Sequence, residues 1–129
     1  MLKLFALALI CASIMSSGAC AQQLATTRAE LGRHDLSIAG REEIQIRVDF
    51  APGVAAPRHI HPGEEIIYVL EGALEYQVGD APPMTLHAGD VLFVPRGAVH
   101  SARNVGQGPA SELGTFMVDK GQPLLTVVH

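Results

Sequence analysis

The sequence predicts an all-β chain, a sandwich or a barrel, on three observations. Ile44, Ile46, Val48 and Phe50 alternate with Gln45, Arg47 and Asp49, the period-2 signature of a strand with one wet face. Later apolar runs are short, and clusters of Gly, Pro, Asn and Asp separate them at short intervals. No stretch sustains the 3.6-residue periodicity of an amphipathic helix.

The elements follow in order. Residues 22–43 are weakly patterned, punctuated by Gly32 and Gly40, and read as an arm leading into a barrel of residues 44–129. The first strand stops at Ala51-Pro52-Gly53. Residues 66–70, Ile-Ile-Tyr-Val-Leu, are continuously apolar, rich in β-branched and aromatic side chains and too short for a helix. They predict a strand buried on both faces, one turned into the barrel and the other onto a partner surface. Residues 73–78 continue after Gly72, and Gly79-Asp80-Ala81-Pro82-Pro83 makes the next turn. The remaining strands fall in residues 91–94, 113–118 and 124–128.

A chain of 129 residues, 48% of them hydrophobic, suits one domain with one core. Its net charge of −4, with no block of like charge, argues against nucleic acid as a partner. The first residues differ in character. Lys3 precedes an apolar run from Leu4 to Met15 that is too short to span a bilayer, and small residues follow it. Ala19-Cys20-Ala21 has the form of a signal-peptidase site, so residues 1–21 read as a signal peptide and Gln22 as the mature start. The expected location is the bacterial periplasm, with no transmembrane segment in the mature chain. Both cysteines, Cys11 and Cys20, leave with the leader. A competing cut resembles a lipoprotein box and would leave Cys20 lipidated, although Ser17 departs from the aliphatic residue usual there.

His59 and His61 lie two apart on extended chain, so both project to one face. Pro62-Gly63 then turns the backbone and Glu65 returns a carboxylate, while His100, after Pro95-Arg96-Gly97, is placed to come from a facing strand. Three imidazoles and one carboxylate suit one divalent transition metal, Mn, Fe, Co, Ni, Cu or Zn, because Ca and Mg prefer oxygen shells.

The spacing of many residues at once resembles the two motifs of the cupin family. Gly53, His59-Ile60-His61, Glu65 and Gly72 match the first; Gly89, Pro95-Arg96-Gly97, His100 and Asn104 match the second. The resemblance implies a double-stranded β-helix, or jelly-roll, barrel with His59, His61, Glu65 and His100 as metal ligands. It implies a metal-dependent enzyme acting on a small oxygen-rich molecule, with dioxygenase chemistry first and lyase, isomerase or decarboxylase chemistry beside it. Glu65, when it loosens from the ion, is the candidate catalytic base. The alternative is a non-catalytic metal or small-ligand binding module of the cell envelope.

The other polar residues carry less. If Glu65 points inward, Ile67 and Val69 do too, and Ile66, Tyr68 and Leu70 form an apolar outer face that a homodimer would cover. Tyr76 has no fixed parity across Gly72, and packing is its expected role. His34, His87 and His129 read as solvated, and Asn104 as a turn residue. Arg58 and Arg96 sit at the mouth, where either would reach a substrate carboxylate, although solvation is the simpler expectation.

Overall fold

The computed structural model describes residues 26–129, so the leader and both cysteines lie outside the described residues. Ten strands follow one another: β1 (Thr27–Asp35), β2 (Arg41–Phe50), β3 (Ala55–Ile60), β4 (Gly63–Glu71), β5 (Ala73–Val78), β6 (Met84–His87), β7 (Val91–Val94), β8 (His100–Asn104), β9 (Ala110–Asp119) and β10 (Thr126–Val127). They form two five-stranded sheets, ordered β1-β2-β9-β4-β7 and β10-β3-β8-β5-β6. Every strand pair is antiparallel, and the two sheets face each other as a jelly roll. Among the described residues no helix is long and apolar enough to cross a membrane.

The core follows from alternation. On β2 the side chains of Ile44, Ile46, Val48 and Phe50 are buried, and on β4 those of Ile67 and Val69 join them, as the period of two requires. Leu74, Tyr76, Val94, Ala102, Phe116 and Val118 complete the filling from the other strands. Gly72 turns the chain from β4 into β5 with φ of 77°, and a Cβ there would lie 2.6 Å from the Pro109 carbonyl oxygen. Only glycine meets both demands.

Two expectations change. The segment read as an arm contains β1, an edge strand paired with β2, and β2 itself begins at Arg41. The sequence hid β1 because its side chains are almost all exposed, so no hydrophobic alternation marks it. The strand of residues 66–70 is buried on one face only within the single chain. Ile66, Tyr68 and Leu70 are 39%, 44% and 38% exposed, whereas Ile67 and Val69 are fully buried.

Candidate metal centre

The first imidazole is placed by a bulge. β3 pairs Ala56 with Ala102 and His59 with His100, three residues on one strand against two on the other. The extra residue near Pro57 moves the inward face from Ala56 to His59 and spares a ladder position that proline could not fill. His61 follows two residues on, past the end of β3, and His100 opens β8 directly opposite His59. All three are buried, and their ligand nitrogens lie within 4.8 Å of one another. The rings touch as well: the His59 and His100 centroids are 4.2 Å apart.

Each Nδ1 is already spent. That of His59 donates to the Pro57 carbonyl at 2.6 Å, that of His61 to Leu124 at 2.5 Å and that of His100 to Ala98 at 2.9 Å. A carbonyl only accepts, so these bonds fix the Nδ1–H tautomer and turn the Nε2 lone pairs inward. Imidazoles that ligate a metal have this arrangement, with the second nitrogen held by a backbone acceptor. His61 Nε2 is buried without a hydrogen-bond partner.

Glu65 comes from the opposite sheet, on β4 between Phe116 of β9 and Val94 of β7. Its Oε2 lies 3.1 Å from His100 Nε2 and 3.3 Å from His61 Nε2. It stands beside the three-histidine group, which is the set whose ligand atoms lie mutually close. Burial pushes its carboxyl up, but the hydrogen bond from His100 and the close approach of His61 together outweigh burial and hold it at about 2. Burial lowers His59 to about 4, while the bond to Glu65 overcomes burial and raises His100. Between His100 and Glu65 one positive charge is wanted, and with Nδ1–H fixed only a second proton or a cation at Nε2 supplies it. The cluster therefore fits a metal ion: converging lone pairs, an unpartnered buried nitrogen and an ionised carboxylate.

Room for Glu65 comes from Gly114. A Cβ at that position would lie 2.9 Å from Glu65 Oε1 and 2.8 Å from the Phe116 ring. The Phe116 ring in turn packs edge-on against His61, with centroids 4.8 Å apart.

Above the cluster lies a pocket whose empty space, counted together with its open mouth, is about 400 Å³. Ile46, Val48, Phe50 and Ile67 contribute apolar walls, and Arg28, Tyr76 and Glu112 also line it. Tyr76 packs in the core as expected, 1% exposed, and its hydroxyl in addition donates to Glu112 Oε2 at the pocket wall. The sequence reading missed Glu112 altogether. Its signal was faint, since Glu112, Gly114, Phe116 and Val118 share a face only once β9 is known to start at Ala110. Arg96 is turned outward to Asp119, neither it nor Arg58 lines the pocket, and the arginine that does is Arg28. Asn104 braces the loop after β8 through Phe50, Gly106 and Gly108, in keeping with a turn residue. His34, His87 and His129 are exposed.

Comparison with known proteins agrees with this geometry. The chain is 44% identical over 75 residues to germin-like protein 1-1 of Oryza sativa subsp. japonica, covering 54% of this chain and 35% of that protein. It is 43% identical to germin-like protein subfamily 2 member 2 of Arabidopsis thaliana, over 54% of this chain and 34% of that one. The chain thus spans about a third of the length of these curated relatives. Among solved structures, a recombinant oxalate oxidase in complex with glycolate matches with a TM-score of 0.63 at 28% identity, over 79% of this chain and 54% of that one. A DMSP lyase from Ruegeria pomeroyi DSS-3 matches with a TM-score of 0.61 at 29% identity, over 67% and 43%. The expected bacterial periplasm is overturned by the curated matches, which are plant proteins, and plant cells have no such compartment. Residues 46–122 match the family model described as a cupin domain, and the chain belongs to the cupin family.

Proposed function

We propose that the chain holds one divalent transition-metal ion through Nε2 of His59, His61 and His100 and the carboxylate of Glu65. On this reading it is a metal-dependent enzyme acting on a small oxygen-rich molecule. The observation that carries it is the convergence of three imidazoles whose Nδ1 atoms are all committed to backbone carbonyls. The unpartnered His61 Nε2 adds weight, because a buried nitrogen without a partner costs about 1–3 kcal/mol that a bound ion would remove.

With the ion at +2 and Glu65 ionised, the site keeps a net charge of +1 and draws an oxyanion into the pocket. When bound, the ion supplies Lewis acidity and orients the substrate oxygen. The protein supplies the rest. Backbone carbonyls fix the rings, Phe116 shields His61 from water, and Glu65 takes up a substrate proton when it is released from the ion. The similar solved structures include an oxidase and a lyase, so dioxygenase-type chemistry is the first class to assay and lyase chemistry the second.

The reading includes a homodimer. Ile66 pairs with Phe93 and Tyr68 with Val91 across β4 and β7, so their exposed side chains form one continuous apolar patch with Leu70. A second copy is the simplest cover for such a face.

Elemental analysis of protein purified without added metal tests the centre directly. About one ion per chain is expected, lost in His61→Ala and in His100→Ala while the circular dichroism of the barrel persists. Full occupancy in both variants would overturn the assignment. Oxygen-uptake screening on flavonols, catechols and diketones then addresses the reaction.

A further inference from the structure

We propose that Glu112 and Tyr76 form a second polar pole of the pocket, which binds the far oxygen of a short, two-ended substrate whose near end lies at the metal cluster. The inference rests on the metal reading and adds a substrate class to it: carboxylates of a few carbons that carry a second oxygen function, hydroxyl or carbonyl, at the other end.

The strand registers set the two poles apart. Glu65 stands in one row with Phe116 and Ile44, whereas Glu112 stands in a row with Val48 and Val69. Four residues of β9 separate the rows, about 13 Å along the strand at the usual rise. On the facing sheet His100 stands opposite Val78, and Tyr76 is two residues further along β5. The phenol thus reaches Glu112 from the side away from the histidines. Between the poles the lining is apolar, with Ile46 and Ile67 in the middle row and no side chain at Gly114.

Glu112 is an odd residue for a core. It is 6% exposed, and its row neighbours on both sides are valines. A carboxyl there costs more than another valine unless something uses it. Among the described residues its one hydrogen-bond partner is the Tyr76 hydroxyl, which occupies Oε2 and leaves Oε1 to the pocket. Burial first, and then the charge of Glu65, raise its carboxyl to about 7, against the opposing influence of Tyr76, Arg28 and His100. Either protonation state of Oε1 meets a substrate hydroxyl, which both donates and accepts, and the protonated state, which donates an O–H, also meets a carbonyl oxygen. Arg28, paired with Val48 in the same row, lines the pocket from the sheet edge.

The test uses the full chain loaded with cobalt(II), whose visible bands report an added carboxylate. Straight-chain alkanoates of two to six carbons are titrated against ω-hydroxy acids of equal length. At one chain length the hydroxy acid should bind about tenfold more tightly to the wild type, the worth of one desolvated hydrogen bond. Glu112→Leu should erase that preference while leaving cobalt stoichiometry and alkanoate affinity unchanged. Glu112→Gln, which keeps a donor, should retain part of it and covers the case in which the leucine variant fails to fold. No preference at any length in the wild type, or an unchanged preference in Glu112→Leu, would overturn the proposal. A wild-type protein that takes up no cobalt overturns the metal reading itself and this inference with it.

Discussion

A methyl group added at Gly114 tests the seating of Glu65 more sharply than removal of Glu65 would. Gly114 has ordinary strand backbone, so alanine brings no torsional strain and, by restricting the unfolded chain, favours folding by about 0.5–1 kcal/mol. Against this stands overlap: the new Cβ would lie 2.9 Å from Glu65 Oε1 and 2.8 Å from the Phe116 ring. Both neighbours are side-chain tips, but Glu65 is tied to His100 and His61 and the Phe116 ring packs edge-on against His61, so moving either one disturbs those contacts. Overpacking of this kind costs about 1–3 kcal/mol, so Gly114→Ala should be less stable than the wild type by about 1 kcal/mol. For a domain of this size that lowers Tm by about 4 °C. The larger effect should fall on metal. A carboxylate moved by several tenths of an ångström no longer meets the ion held by the three imidazoles, and affinity should drop at least tenfold. Isothermal titration with manganese(II) or zinc(II), beside thermal unfolding of the metal-free protein, reads both quantities. Unchanged affinity with a raised Tm would refute the placement of Glu65 against Gly114.

Three further outcomes are expected. Adding a divalent ion at a hundredfold excess over its Kd should stabilise the chelator-treated protein by about 2.7 kcal/mol, read as a rise in Tm; no rise would mean that the ion does not prefer the folded barrel. The metal-free protein should lose stability as pH falls, because His59 near 4 and Glu65 near 2 both bind protons less readily folded than unfolded. The loss from His59 runs from about pH 6.5 down to 4 and that from Glu65 from about 4.3 towards 2, while the contribution of His100, whose pKa is raised, is already fully present below about 6.5. Denaturant midpoints that stay flat between pH 7 and 4 would contradict the buried, neutral His59. Light scattering at micromolar concentrations should show a dimer, and Phe93→Glu should turn it into a monomer with unchanged metal content; a wild-type monomer throughout would remove the second copy from the outer face of β4 and β7.

The local chemistry was legible in the sequence because it depends on short-range periodicity. His59 and His61 share a face because side chains on extended chain alternate, and the same parity ranged Glu65 with Ile67 and Val69 against Ile66, Tyr68 and Leu70. The glycines and proline around them mark turns that few other residues can make, and so the two motifs, the family and the all-β class could be read before any coordinate. A periodic pattern fails where a strand has no buried face, and that is why β1 leaves no mark in the sequence.

Tertiary structure alone decided what faces the metal cluster. Whether Tyr76 packs or lines the pocket depended on its register with Ala102, and whether Glu112 points inward depended on the pairing of β9 with both β2 and β4. Those registers are set by contacts between residues far apart in the chain, such as Arg41 and Asp119, through bulges such as the one at Pro57 that shift parity by one. A single chain of letters carries alternation within a strand but not the offset between strands. The three histidines could therefore be named from their spacing, while the acid and the phenol across the pocket had to be seen in place.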